Sequence, residues 1–191
     1  MSMNENQSIS VTVSEKKITK PKRLFKYLDQ TKVNEMLERA RNDNKRNYLI
    51  LLTLVRTGLR NSELIHLKKK DIDIKEECIW VRQGKGYKDR LIPLDTVLGD
   101  LLMYHCADMT NEDVLFPLSD MQIRNITHKY QGSEDVHPHT FRHSFAVHCL
   151  RSGMNIRVLQ RILGHNDLAT TAMYLDLIAQ DIKDEYRKVK W

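Results

Sequence analysis

Four short stretches carry residue types that could act together on a phosphate ester. His139-Thr-Phe-Arg142 follows Pro138 directly, and its i, i+3 spacing puts an imidazole and a guanidinium on one face near a helix N-terminus. There the dipole favours an anion, the guanidinium offers a two-pronged fork, and the histidine carries a transferable proton. Alone, the motif fits the polar face of a surface helix equally well. Leu163-Gly164-His165 sets a second histidine just past a helix-ending glycine, with Tyr174 nine residues on, after Thr170-Thr171. Taken singly, such a histidine is an ordinary turn residue. Thr57-Gly58-Leu59-Arg60-Asn61-Ser62-Glu63 presents Arg60 after another cap, with Glu63 one turn later to orient it or simply to form an intrahelical ion pair. Lys85 sits in the turn Gly84-Lys85-Gly86-Tyr87-Lys88, where a lysine is most often only a solubilising charge.

Other chemistries lack their signatures. The chain has no glycine-rich nucleotide loop, no HExxH and no Cys/His ligand set. His139 and His143 are four apart and could share a helix face as metal ligands, but no third ligand is apparent, so no metal and no cofactor is expected. Cys78, Cys106 and Cys149 are widely spaced, with no CxxC pair, and read as reduced, partly buried thiols.

These residues need elements to hold them. Val33, Met36, Leu37 and Ala40 form one apolar stripe in a helix beginning near Thr31. A second helix, Lys45 to Arg56, stops at Gly58, and a short one follows within Leu59–Leu67. Asp71 to Ile74, Cys78 to Val81 and Asp89 to Leu94 have strand character and predict a small antiparallel sheet, the last two strands joined by the Lys85 turn. Asp95 caps a helix bearing Val97, Leu98, Leu101 and Leu102, and Ser119-x-x-Gln122 is a capping box ahead of Ile123, Ile126 and Tyr130. Helices from Pro138 to about Ser152 and from Ile156 to Leu163 follow, the latter capped by Asn155 and closed by Gly164. A short helix from Asp167 and an amphipathic tail marked by Ile178, Ile182, Tyr186 and Val189 complete the chain. The expected class is mainly α with a small three-stranded antiparallel β-sheet (α+β).

Length and composition are compatible with this. The 191 residues, 41% hydrophobic and 29% charged, suit a globular domain that buries a substantial core. No apolar run approaches the roughly 20 residues that span a bilayer, and no secretory signal is visible, so no membrane partner and a cytoplasmic location are expected. Lys and Arg exceed Asp and Glu by 31 to 25, a net +6 that favours an anionic partner without naming it. Residues 1–24 lack periodicity and end in a basic run broken by Pro21, which reads as a flexible arm or a solvated leader.

The ordered set Arg60 with Glu63, Lys85, His139-x-x-Arg142, Leu-Gly-His165 and Tyr174 resembles the tyrosine recombinases, the phage-type integrases and Xer-like enzymes, over about Leu28 to Trp191. The match is densest in His139-Thr-Phe-Arg-His-Ser-Phe-Ala146, Leu163-Gly-His165 and Thr170-Thr-Ala-Met-Tyr174. The resemblance implies a recombinase catalytic-domain fold over 25–191 that cleaves and rejoins double-stranded DNA without metal or ATP. It makes Tyr174 the nucleophile and Arg60, Arg142 and His165 the phosphate-stabilising groups. Lys85 becomes the general acid, His139 the proton acceptor and Glu63 the helper that positions Arg60 and His139. Lys88 and His143 are secondary candidates for phosphate contact and local support. It further implies a homo-oligomer on DNA, dimer to tetramer in synapsis, with helix 178–191 exchanged between neighbours.

Only about 25 residues precede the first helix, so the family's usual N-terminal core-binding domain is expected to be absent, and with it weak, salt-sensitive DNA binding is expected. A type IB topoisomerase-like relaxing enzyme and a non-catalytic helical DNA-binding module are the alternatives.

Overall fold

The computed structural model describes residues 25–82, 89–165 and 167–189. The expected Lys85 and Lys88, and the arm over 1–24, lie outside them. Helix α1 (Gln30–Asp43) begins where the Asp29 carboxylate accepts from the Lys32 N–H at 2.9 Å. Asn44 does the same for α2 (Lys45–Thr57), accepting from Asn47. Helix α2 runs through the centre of the molecule: Ile50, Leu51, Leu52 and Leu54 are each almost wholly buried, and α1, α4 and α6 pack against it. At its end Gly58 turns left-handed (φ +63°) and the chain enters α3 (Asn61–Ile65).

Strands β1 (Ile72–Asp73), β2 (Cys78–Val81) and β3 (Arg90–Pro93) form the expected antiparallel sheet in the order β1-β2-β3. The first strand is shorter than Asp71 to Ile74, because the Asp71 carboxylate accepts from the Lys68 N–H (3.0 Å) and closes a 3-10 turn over Lys69–Asp71. Ile79, Val81, Arg90 and Ile92 are buried, whereas the cross-strand partners Trp80 and Leu91 are more than one-third exposed on the outer face.

Helix α4 (Thr96–His105) is capped by Asp95, and α5 (Asp120–Tyr130) by the reciprocal Ser119 and Gln122 hydrogen bonds. Helix α6 (Pro138–Arg151) starts on its proline. Helix α7 (Ile156–Leu163) is capped by Asn155 and stops at Gly164. The tail departs from expectation: the short helix after Asp167 and the helix from Ile178 are one continuous α8 (Leu168–Arg187). No glycine or proline occurs within it, so nothing locally interrupts the backbone ladder.

Two apolar clusters result. The larger surrounds α2, and a smaller one, built from Ala146, Val147, Leu159, Leu163 and Tyr174, joins α6, α7 and α8. Cys78 and Cys106 are buried, Cys149 is half-buried, and all three are free thiols. Among the described residues no helix is long and apolar enough to cross a membrane.

Candidate active site

The C-terminus of α7 organises the site. The last carbonyls of any helix lack intrahelical donors and lie at the negative end of its dipole. Here three successive carbonyls are met by three different arginines. Arg90 Nε donates to Ile162 (2.7 Å), Arg142 Nη2 to Leu163 (2.5 Å) and Arg60 Nη2 to Gly164 (3.4 Å). The guanidinium groups come from β3, α6 and the start of α3, and their mutual repulsion is offset by these carbonyls and by Glu63.

Glu63 is shared between two of the arginines. Its Oε1 accepts from Arg60 Nη1 (2.7 Å) and Arg90 Nη1 (2.9 Å), and its Oε2 from the Arg60 backbone N–H (2.8 Å) and Arg90 Nη2 (2.7 Å). Burial pushes the carboxyl's pKa up, but the hydrogen bonds and charge of Arg90, with those from Arg60, outweigh it and hold the group below the ordinary carboxylate value. Arg142 also donates to the Gly58 carbonyl (2.8 Å), which ties α6 to the end of α2. Burial, followed by the charge of Arg60, pulls its pKa down to about 10, which leaves it a cation at neutral pH.

His165 follows Gly164, and its position is set by hydrogen bonds to Gln160: its N–H donates to the Gln160 carbonyl (3.1 Å), and its carbonyl accepts from Gln160 Nε2 (3.1 Å). Its Nδ1 lies 2.9 Å from Thr171 Oγ1. Burial, then the charges of Arg142, Arg60 and Arg90, pulls its pKa to about 4, so the ring is neutral at pH 7.

Tyr174, in the second turn of α8, is only 3% exposed. Its hydroxyl lies 3.0 Å from His143 Nδ1. Burial raises the tyrosine pKa, against a lowering by Arg142. Burial, with His139 and Arg142 nearby, pulls His143 to about 4, so this imidazole is neutral and able to accept a proton. The Phe25 ring lies over it, with centroids 4.6 Å apart.

The helices leave a cleft of about 600 Å³ whose walls include Arg60, Asn61, Arg124, His137, His139 and His143. The structure thus gathers Arg60, Glu63, Arg142, His143, His165 and Tyr174 around one locus. His139, one turn before His143 on α6, is exposed on the cleft wall. The imidazole bonded to the tyrosine is that of His143. Arg90 escaped the reading of the sequence, where it was one residue of a strand; a charged residue ahead of Leu91-Ile92 was the available signal. Among the described residues no group of three or more His, Cys, Asp or Glu could hold a metal ion.

The mainly helical domain with its small three-stranded sheet has the fold of solved recombinase structures. The crystal structure of XerA recombinase superposes with a TM-score of 0.72 at 32% identity, over 89% of this chain and 68% of that one. XerH site-specific recombinase bound to palindromic difH substrate, a post-cleavage complex, shares the fold at a TM-score of 0.71 and 24% identity, over 87% of this chain and 54% of that one. The tyrosine recombinase XerA of Thermococcus kodakarensis is 35% identical over 182 residues, covering 89% of this chain and 64% of the relative. A model of the phage integrase family matches residues 26–180, and the chain belongs to that family. It spans just under two thirds of the length of the curated relatives it matches.

Proposed function

We propose that this chain is the catalytic domain of a site-specific DNA recombinase that cleaves and rejoins strands through a 3′-phosphotyrosyl intermediate. The observation that carries the reading is the Tyr174 hydroxyl hydrogen-bonded to the neutral imidazole of His143 beside the arginine cluster. A phosphodiester in the cleft would meet Arg60, whose side chain is one-third exposed. Arg142 would supply charge from beneath, and His165, its Nδ1 held 2.9 Å from the Thr171 hydroxyl, would present a neutral imidazole. Tyr174 then attacks phosphorus, its proton passes to an imidazole, and the bond to the 5′ oxygen breaks as that oxygen takes a proton from Lys85. The ester retains the bond energy, so rejoining by a 5′-hydroxyl needs no ATP. The resting hydrogen bond favours His143 as first acceptor, with His139 on the cleft wall as the second. Because Tyr174 is buried, DNA binding must bring it out. Lys88 is a further phosphate contact in this reading.

Exchange with a second duplex requires several protomers on double-stranded DNA. Tyr186 in the last turn of α8 and Val189 just beyond it, 61% and 50% exposed, suit a segment that docks on a neighbour, giving dimers to tetramers in synapsis. Deleting residues 180–191 should abolish synapsis on paired sites while single-site cleavage persists; unchanged synapsis would remove α8 from that role.

A nicked suicide duplex with a denaturing gel tests the chemistry. The wild-type chain should form a covalent adduct in the presence of a metal chelator, and Tyr174→Phe should bind DNA without forming one. An adduct surviving that substitution refutes the assignment. Strand exchange rather than plasmid relaxation by the wild type separates recombination from topoisomerase-like activity.

A further inference from the structure

Arg90 presents a puzzle of cost. Its side chain is 6% exposed at the start of β3, where an apolar residue would pack at no desolvation cost, and a buried guanidinium is expensive unless fully paired. It is not among the residues that wall the cleft. Yet each edge of its guanidinium is engaged: the fork spans both oxygens of Glu63, and Nε donates to the Ile162 carbonyl.

We propose that Arg90 is a positioning residue for strand cleavage, locking the Glu63 carboxylate, and through it Arg60, against the carbonyl end of α7. The inference rests on the recombinase reading and deepens it. Each Glu63 oxygen accepts one bond from Arg60 and one from Arg90. Four lone-pair directions are available on a carboxylate, and filling them from two sides removes its freedom to rotate. Arg60 inherits that fixed orientation, and its other donor reaches the Gly164 carbonyl. The same side chain packs under the loop that carries His165: a Cβ on Gly164 would stand 2.8 Å from Arg90 Cδ. One arginine thus sets the spacing between the strand, α3 and the α7–α8 loop.

The charges around Glu63 give this role a signature distinct from simple buttressing. Arg60 from α3, Arg90 from β3 and Arg142 from α6 act on the carboxylate, and the ring of His165 faces the same three cations from the α7–α8 loop. Without Arg90, burial of Glu63 is less opposed and its pKa climbs. A carboxylate that protonates earlier releases Arg60 at higher pH.

Single-turnover adduct formation on the suicide duplex, at saturating DNA and across pH 5 to 9, tests the proposal with the full chain. Arg90→Gln should slow cleavage about 10²-fold, a misplacement effect, while the DNA Kd changes less than about 3-fold. Its acid limb should move to higher pH. Arg90→Lys, which keeps the charge and loses the fork, should fall between the two in rate and pH profile. The double variant Glu63→Gln/Arg90→Gln should be no slower than the slower single one, because both act through one contact. Wild-type rate and pH profile in either Arg90 variant would overturn the proposal; if Arg90→Gln fails to fold, Arg90→Lys decides alone. No adduct from the wild type would sink the recombinase reading and this inference with it, whereas an active wild type with indifferent Arg90 variants sinks only the inference.

Discussion

Replacing Gly164 with alanine separates backbone strain from a collision with the arginine cluster. Gly164 has φ +66°, a conformation that costs an L side chain about 1–2 kcal/mol. The new methyl would also lie 2.8 Å from Arg90 Cδ, 3.1 Å from Nε and 3.2 Å from Cζ. Relief requires Arg90 to shift, which loosens charge-assisted bonds to Glu63 and Ile162, each contributing about 1.5–3 kcal/mol. If half of one such bond is forfeited, Gly164→Ala costs about 2–3.5 kcal/mol in total, or roughly 4–14 °C in Tm for a domain of this size. Gly153 supplies the control: φ is +86° and nothing lies within 4 Å of its virtual Cβ, so Gly153→Ala should cost only the backbone share, about 1–2 kcal/mol. Urea unfolding of both variants at pH 7.5 measures the two costs, and adduct formation reports on the site. The reasoning predicts a larger loss at Gly164 and slowed cleavage there alone. Equal midpoints, or equal cleavage rates, would show that Arg90 yields freely and that the cluster is not rigid.

Arg60 and Arg142, the two arginines assigned to the phosphate in the proposed reaction, should part company in stability. Arg142→Ala orphans the carbonyls of Gly58 and Leu163 in a buried site and should cost about 2–4 kcal/mol by urea unfolding, whereas Arg60→Ala, at a side chain one-third exposed, should cost about 1 kcal/mol or less. Both should lose about 10²-fold or more in cleavage rate, and equal stability losses would contradict the burial argument. His143 and His165, with folded pKa values near 4 against an ordinary 6.5, are neutral when folded while the unfolded chain still takes up protons. Stability should therefore be intact above pH 6.5 and decline as pH falls toward 4. NMR titration of the imidazole protons should show both rings unprotonated at pH 5.5, and a midpoint near 6.5 for either ring refutes its buried environment.

Much of the fold was legible because its signals are local. Asp95, Ser119 and Asn155 cap helices within three residues of themselves, and Pro138 and Gly164 mark ends through their own backbone preferences. The order of Arg60, Glu63, Arg142, His165 and Tyr174 was likewise readable, since a motif needs only spacing. The break expected within the last helix was not real, because weak periodicity between Asp167 and Ile178 says nothing against a ladder that no glycine or proline interrupts.

Direction and partnership were another matter. In Arg90-Leu-Ile-Pro93 two adjacent apolar residues leave the inward face undecided, and only the pairing of Trp80 with Leu91 on the outer side turns Arg90 toward Glu63. His139 and His143 are indistinguishable as proton acceptors by type and helix, and the packing of α8 on α6 puts His143 on the tyrosine. The carbonyl end of α7 draws Arg90, Arg142 and Arg60 from 72, 21 and 104 residues away. The sequence by itself determined which groups are present and the helices that carry them, because capping and periodicity act over a few residues. The tertiary structure decided which of those groups touch, because such contacts are made only when distant elements share one buried space.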